Sequence, residues 1–288
     1  MKSKLILGTV QFGLKYGINN IEGKLSEQSI REILDTAFEK GIDILDTAEV
    51  YGDAQKRIGD YHKLSDNKFE VITKFNSKES LRSNIIERVE KDIETLRVDS
   101  LYAYMFHSFT DFEKYFEKYS KDLILLRNKG VIKRIGVSLY TNEEISRVLG
   151  NENVDLIQLP FNLLDNNTKR KDIIKKAKEK GIEIHTRSVF LQGLFFKKTN
   201  ELPGNLELLK PYLDNLHNLC REDIKINDIA LNYAVKNNDI DKVLIGVDGV
   251  SQLLSNVMSE KRKVLNGIID EIDAIKVKEV ELLNPSNW

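Results

Sequence analysis

Eight short runs of β-branched and apolar residues recur along this chain, and a longer stretch with helical spacing follows almost every one. The runs are residues 4–10, 44–48, 70–75, 100–107, 132–139, 156–162, 183–190 and 242–247. Eight strand-then-helix alternations in 288 residues favour a closed parallel (β/α)8 TIM barrel of the α/β class. An open doubly wound sheet is the alternative. Had it bound a dinucleotide, it would usually carry a G-x-G-x-x-G turn after an early strand, and the chain has none.

The intervening helices carry their own punctuation. Residues 26–40 open with Ser26 as N-cap of an SEQS segment and stop at Gly41. Residues 81–96 place Ile85, Ile86, Val89, Ile93 and Leu96 at helical spacing. Residues 141–149 start TNEE and end at Gly150, and residues 168–180 end at Gly181. Three helix ends share one motif: EKGI at 39–42, NKGV at 128–131 and EKGI at 179–182. In each, a glycine can take the left-handed conformation before the next strand begins. Two helical patterns fill residues 205–237. Residues 264–283 predict one additional C-terminal helix, packed outside the barrel. No Pro/Gly/Ser-rich linker divides the chain, so residues 1–288 are expected to form a single domain.

Composition narrows the partners. The 44 basic and 45 acidic side chains give a net charge of −1, which offers no electrostatic case for nucleic acid or a membrane surface. The lysines from Lys175 to Lys180 alternate with other residues and read as a solvated helix face. A single cysteine, Cys220, excludes a disulfide within the chain and fits a reducing compartment. The first apolar run is too short to span a membrane and lacks a plausible cleavage site, so a cytoplasmic protein is expected. The sequence does not reveal the oligomeric state.

In such a barrel the site forms where strands end. Strand two ends with Asp46 and leads to Tyr51. Strand three ends near Lys74, strand four at His107 and strand five at Ser138, while strand six carries Gln158 and Asn162. Four of these suit carbonyl reduction, which needs a hydride donor and a proton donor at the oxygen. Tyr51 supplies a phenol, and Lys74 a cation expected to lower its pKa. Asp46 would keep that lysine charged, and His107 would orient the substrate oxygen. Taken singly, each has a plainer reading as a cap, a solvated lysine, a structural histidine or a packing tyrosine. Their joint occurrence on consecutive strands singles them out.

GIDILDTAEVYGDAQKRIG at 41–59 resembles the G-x-x-x-x-D-T-A-x-x-Y-G-x-x-E-x-x-x-G signature of the aldo-keto reductase superfamily, with Gln55 in place of the usual acid. The resemblance covers nearly the whole chain, from GTVQFG to QLLSN. It implies that Asp46, Tyr51, Lys74 and His107 are the catalytic residues, acting on a small-molecule carbonyl substrate with NADPH or NADH as cofactor and no metal. For the cofactor it implies contacts from Gly8, Thr9 and Val10 after strand one, and from Ser138 and Gln158 to the nicotinamide amide. Further contacts are implied from Arg187, Ser188, Leu191, Gln192, Gly193 and Leu194 after strand seven. The last set is Gly246, Val247, Asp248, Gln252 and Asn256 around the adenosine.

Three departures stand out. Leu139 replaces the asparagine of the family's G-x-S-N. Arg187 sits where many members stack a tyrosine on the nicotinamide. It could stack there, bind a phosphate or an acidic substrate group, or form a salt bridge on the rim. Asp248 and Gly249 lie where NADPH-preferring members place a serine and an arginine, which suggests relaxed preference or a shift to NADH. RSVFLQGL at 187–194 is similar to bacterial reductases of sugar or surface-polysaccharide metabolism, so a keto-sugar or nucleotide-sugar is an implied substrate. Phe109, Phe112 and the tail ending at Trp288 are candidates to shape its pocket. Some relatives are cofactor-sensing accessory subunits, and a non-redox reaction on the same scaffold is the other alternative.

Overall fold

The computed structural model describes residues 3–20, 23–77, 84–262, 264 and 266–288. All eight predicted runs contain a strand: β1 (Leu5–Gly8), β2 (Ile44–Asp46), β3 (Glu70–Phe75), β4 (Ala103–Phe106), β5 (Ile135–Ser138), β6 (Leu156–Pro160), β7 (Glu183–Arg187) and β8 (Lys242–Ile245). Each pairs in parallel with the next. β8 returns to β1, with Leu5 opposite Val243 and Leu7 opposite Ile245, so the barrel is closed.

Strand periodicity of two divides the apolar residues between two cores. Ile6, Ile44, Ile72, Ala103, Met105 and Leu156 fill the barrel interior. Their neighbours in sequence, such as Leu5, Leu7, Leu45, Val71 and Phe106, face the surrounding helices. Most strands stop before the apolar runs do. Val10, for example, already opens a short helix, Val10–Gly13, and those extra residues form the loops at the C-terminal rim.

The helix punctuation is realised locally. The Ser26 hydroxyl accepts from the Ser29 N–H at 3.1 Å, starting the helix Glu27–Glu39. Thr141 and Glu144 form a reciprocal capping box on the helix Asn142–Val148. Gly41, Gly130 and Gly181 adopt φ of 81°, 74° and 76°, as the shared motif requires. Residues 81–83 of the predicted third-unit helix lie outside the described residues. The described helix runs Ile85–Leu96, capped by Asn84.

The tail differs from expectation. It holds the helix Asn266–Asp273, followed by short 3-10 turns at Val280–Leu283 and Pro285–Asn287. The buried Asn166 amide donates to the carbonyls of Ile272 at 2.8 Å and Ile275 at 3.0 Å. That side chain satisfies carbonyls at the helix end and redirects the chain. Among the described residues no helix is long and apolar enough to cross a membrane.

Gln55, the departure inside the signature, donates to the Thr73 hydroxyl at 2.8 Å and to Asp92 at 3.1 Å. Asp92 is buried, and its other oxygen has no hydrogen-bond partner. Burial, and then the nearby Glu49, push its carboxyl up to about 7. A pKa raised on folding gives stability that is lost as pH rises, here between the ordinary 3.8 and about 7. Asp92→Asn should therefore unfold at higher temperature than the parent above about pH 7, with the gap closing below about pH 4. A gap that widened toward acid in thermal melts would refute this account.

Candidate active site

The strand ends of β2, β3, β4 and β6 bring the site together. Asp46, the last residue of β2, ion-pairs through Oδ1 with Lys74 Nζ of β3, and both side chains are 1% exposed. Lys74 also donates to the Thr47 carbonyl at 3.0 Å. The other Asp46 oxygen accepts from Gln158 Nε2 of β6 at 2.8 Å. Gln158, which the sequence resemblance assigns to the cofactor amide, thus also orients the catalytic-site carboxylate.

Tyr51 lies on the turn after β2. Its N–H donates to the Ala48 carbonyl at 3.0 Å, and its own carbonyl accepts from Ala54 at 3.1 Å. The last glycine of GTVQFG packs against this turn. A Cβ on Gly13 would stand 1.8 Å from the Tyr51 carbonyl oxygen, so only glycine lets the two loops meet. Lys74 Nζ lies 5.5 Å from the centre of the Tyr51 ring. The His107 ring stands edge-on to it at 5.8 Å and 85°. All four sequence candidates meet at one point.

Their electrostatics differ from the sequence expectation in one respect. The Tyr51 phenol is raised, not lowered. Burial is the largest cause, and the Asp46 charge adds to it, whereas Arg187 is the cation that opposes them. The Lys74 charge is offset by its own ion pair, so little of it acts on the phenol. Burial also lowers Lys74, with Asp46 opposing. Burial, followed by the Lys74 charge, pulls His107 down to about 4. His107 is therefore neutral at physiological pH, and its buried Nδ1 has no hydrogen-bond partner among the described residues.

A cavity of about 860 Å³ opens from this cluster. Gly8, Thr9, Val10, Ser138, Arg187, Ser188, Gln192 and Gly193 line it, as do Gly246, Asp248, Gln252 and Asn256. Leu191, Leu194 and Val247 bury their side chains in the core, which leaves their backbone to face a ligand. Asn162 lies apart from the cavity. It accepts from the N–H groups of Leu164 and Asp165, both at 2.9 Å, and so shapes a turn. Phe112 packs in the core beside Phe106 and Phe116, with Phe109 against it. From the tail, Ser286 reaches the cavity, while the Trp288 indole donates to the Leu282 carbonyl at 2.8 Å.

Sequence reasoning passed over Gln11, Tyr16, Asn20 and Tyr140, which also line the cavity. Tyr140 was within reach of the pattern, since it lies two residues beyond Ser138. Asn20 donates to Asp248 at 3.0 Å, and Gln192 donates to the Tyr16 hydroxyl at 2.8 Å. Asn19 donates to the Gly193 carbonyl at 2.7 Å. These last two bonds tie the loop after β1 to the loop after β7, where Ser188, Leu191 and Gln192 hold left-handed φ of 60°, 46° and 52°.

The residues present fit a nicotinamide dinucleotide. The volume lies toward the upper end of small-molecule pockets, roughly 300–1,000 Å³. Beside the lining residue Asp248, the helix Val250–Lys261 begins at Gly249 with no side-chain cap. Its first N–H groups suit a phosphate. A Cβ on Gly246 would come 2.6 Å from the Gln11 amide, so glycine keeps that corner open.

Residues 4–277 match the model of the Aldo/keto reductase family. The chain is 23% identical to an uncharacterized oxidoreductase, YqkF, of Bacillus subtilis (strain 168), across 85% of each chain. It is 24% identical to an L-galactose dehydrogenase of Arabidopsis thaliana, across 98% of this chain and 94% of that one. The fold is similar to the holo form of the aldo-keto reductase AKR11C1 from Bacillus halodurans, with a TM-score of 0.77 at 20% identity, covering 97% of this chain and 95% of that one.

A phenol raised by burial loses its proton only at high pH, and His107 gains one only near pH 4. Carbonyl reduction should therefore show a flat kcat/KM between about pH 5 and about pH 9. A fall with midpoint near neutrality on the alkaline side would mean that Tyr51 ionises far lower than its surroundings dictate.

Proposed function

The chain belongs to the aldo/keto reductase family and is an NAD(P)-dependent oxidoreductase; from this premise we propose that it reduces an aldehyde or ketone to the alcohol with Tyr51 as proton donor. The observation that carries the reading is the convergence of Tyr51, His107 and the buried Asp46–Lys74 pair at the mouth of one cavity.

A bound reduced nicotinamide nucleotide supplies the hydride. The protein's part is to place the carbonyl oxygen and deliver a proton to it. Tyr51 remains protonated at neutral pH, so the acid form is always present. As the oxygen gains negative charge it becomes far more basic than a phenolate, and the proton moves downhill from Tyr51. The phenolate left behind faces Arg187, the cation whose charge favours it. Neutral His107 can donate one ring N–H to the same oxygen and fix its direction.

Cofactor preference follows from charge. The basic residues lining the cavity are Lys74 and Arg187, both at the reacting end. At the adenosine end stands Asp248, held by Asn20. A carboxylate repels a 2′-phosphate and accepts well from ribose hydroxyls, which supports NADH. A keto-sugar or nucleotide-sugar is the substrate proposed. The sugar-associated RSVFLQGL segment and the L-galactose dehydrogenase relative support that class.

Tyr51→Phe should lower kcat by about 10²–10⁴-fold, the usual contribution of a general acid, while nucleotide affinity by fluorescence titration stays within about threefold. Near-normal turnover in that variant would remove Tyr51 from the role. The parent enzyme should give a higher kcat/KM with NADH than with NADPH, and Asp248→Ser should move the ratio toward NADPH by about tenfold. A strong NADPH preference in the parent would contradict the charge argument.

A further inference from the structure

Arg187 closes β7 and lines the cavity with its charge unpaired. Its donors reach only the Leu139 carbonyl at 3.4 Å and the Ser188 hydroxyl at 3.5 Å. Both are at the long limit for a hydrogen bond, and a guanidinium has five N–H groups to satisfy. No carboxylate pairs with it among the described residues. Asp46 is engaged by Lys74 and Gln158, and Asp248 by Asn20. Other arginines with comparable or deeper burial do have acids: Arg88 has Glu49, Arg127 has Asp155, Arg134 has Glu183 and Arg170 has Asp165. The rim salt bridge considered from sequence is absent among the described residues.

The cation is also held in place. Its carbon stacks 4.0 Å from the centre of the Tyr140 ring. The Tyr140 backbone is pinned on both sides: its N–H donates to Glu144 and its carbonyl accepts from Arg170, each at 2.6 Å. Arg170 is itself fully buried and grips Asp165 with two bonds of 2.7 Å. An ordered, half-buried cation without a counter-charge bears a desolvation cost that its stacking on Tyr140 offsets only in part, which argues for a role other than folding.

We propose that Arg187 determines specificity by recognising an anionic oxygen group, a carboxylate or a phosphoryl, on the carbonyl substrate. This rests on the reading of the site as a carbonyl reductase. Its place at the reacting end is seen in its neighbours, since its charge acts on Tyr51, His107 and Lys74 together. The start of the helix after Gly249 has N–H groups free of a side-chain cap and suits a nucleotide phosphate, which leaves Arg187 for an anion on the substrate. A planar fork with free N–H groups matches a carboxylate or phosphoryl in two-point fashion.

The test compares matched substrates: D-glyceraldehyde 3-phosphate against D-glyceraldehyde, and succinic semialdehyde against butanal. In the parent enzyme the anionic member of at least one pair should have a kcat/KM higher by about tenfold or more, as expected for a charged hydrogen bond. The pair that responds identifies the group as phosphoryl or carboxylate. In Arg187→Met the ratio should fall toward one, and in Arg187→Lys it should be intermediate. A ratio cancels any effect of the substitution on cofactor or on Tyr51, and either variant alone suffices if the other fails to fold. A parent ratio near one in both pairs overturns the proposal, as does a ratio that survives in Arg187→Met. The underlying reductase reading stands or falls separately, on whether a neutral aldehyde is reduced by the parent and not by Tyr51→Phe.

Discussion

The buried ion pair between Asp46 and Lys74 is the constraint around which this barrel's mouth is organised. Two opposite charges with 1% exposure carry a desolvation cost that only close, fully bonded geometry offsets. The fold supplies that geometry from three strands. β2 and β3 are neighbours in the sheet, so Asp46 and Lys74 meet across one strand pair. β6 lies across the barrel, and Gln158 from it completes the coordination of the carboxylate. An open sheet could bring the first two together, but not the third from the opposite wall.

That pair also governs what its neighbours can do. Burial and then the Asp46 charge hold the phenol beside the pair in its protonated form, with Arg187 opposing. The same burial keeps His107 neutral. The resting site therefore holds a neutral phenol and a neutral imidazole, and negative charge developing on either the phenol or a bound oxygen would meet its cations. An arrangement that strengthens interactions in the transition state more than in the resting state is what catalysis by electrostatic preorganisation requires.

Much of this was legible in the sequence because it depends on local rules. Strand runs, glycine stops and N-caps are written in residue types at fixed spacing, and the structure places all eight strands within the expected runs. The four catalytic-site candidates were legible because strand C-termini face one end of a parallel barrel, so position alone gathers them. The rest depends on distant contacts. Nothing local indicates that Gln158 would reach Asp46 across the barrel, that Asn166 would end the tail helix at Ile272, or that Tyr16 would meet Gln192. The sign of the Tyr51 shift was misjudged for a related reason. The sequence pairs Asp46 with Lys74, but it shows neither the depth of burial of the phenol nor the reach of the Asp46 charge to it, and both raise its pKa.

The charge layout of the cavity gives its ligands a direction. Lys74 and Arg187 line it beside Tyr51, the carboxylate of Asp248 lines it elsewhere, and backbone N–H groups at the start of the helix Val250–Lys261 lie beside Asp248. A long ligand carrying phosphates near its middle and an uncharged ribose diol at its tip fits that sequence of partners in one orientation and meets repulsion in the reverse. Lys74 is already neutralised by Asp46, so the net positive charge at the reacting end resides on Arg187. The loops after β1 and β7 are bonded to one another through Asn19 with Gly193 and Tyr16 with Gln192, both at the wall of the cavity. A residue in either loop therefore acts on both walls at once. The segment 187–193, which begins with Arg187 and ends at the bonded glycine, thus links the two walls of the cavity.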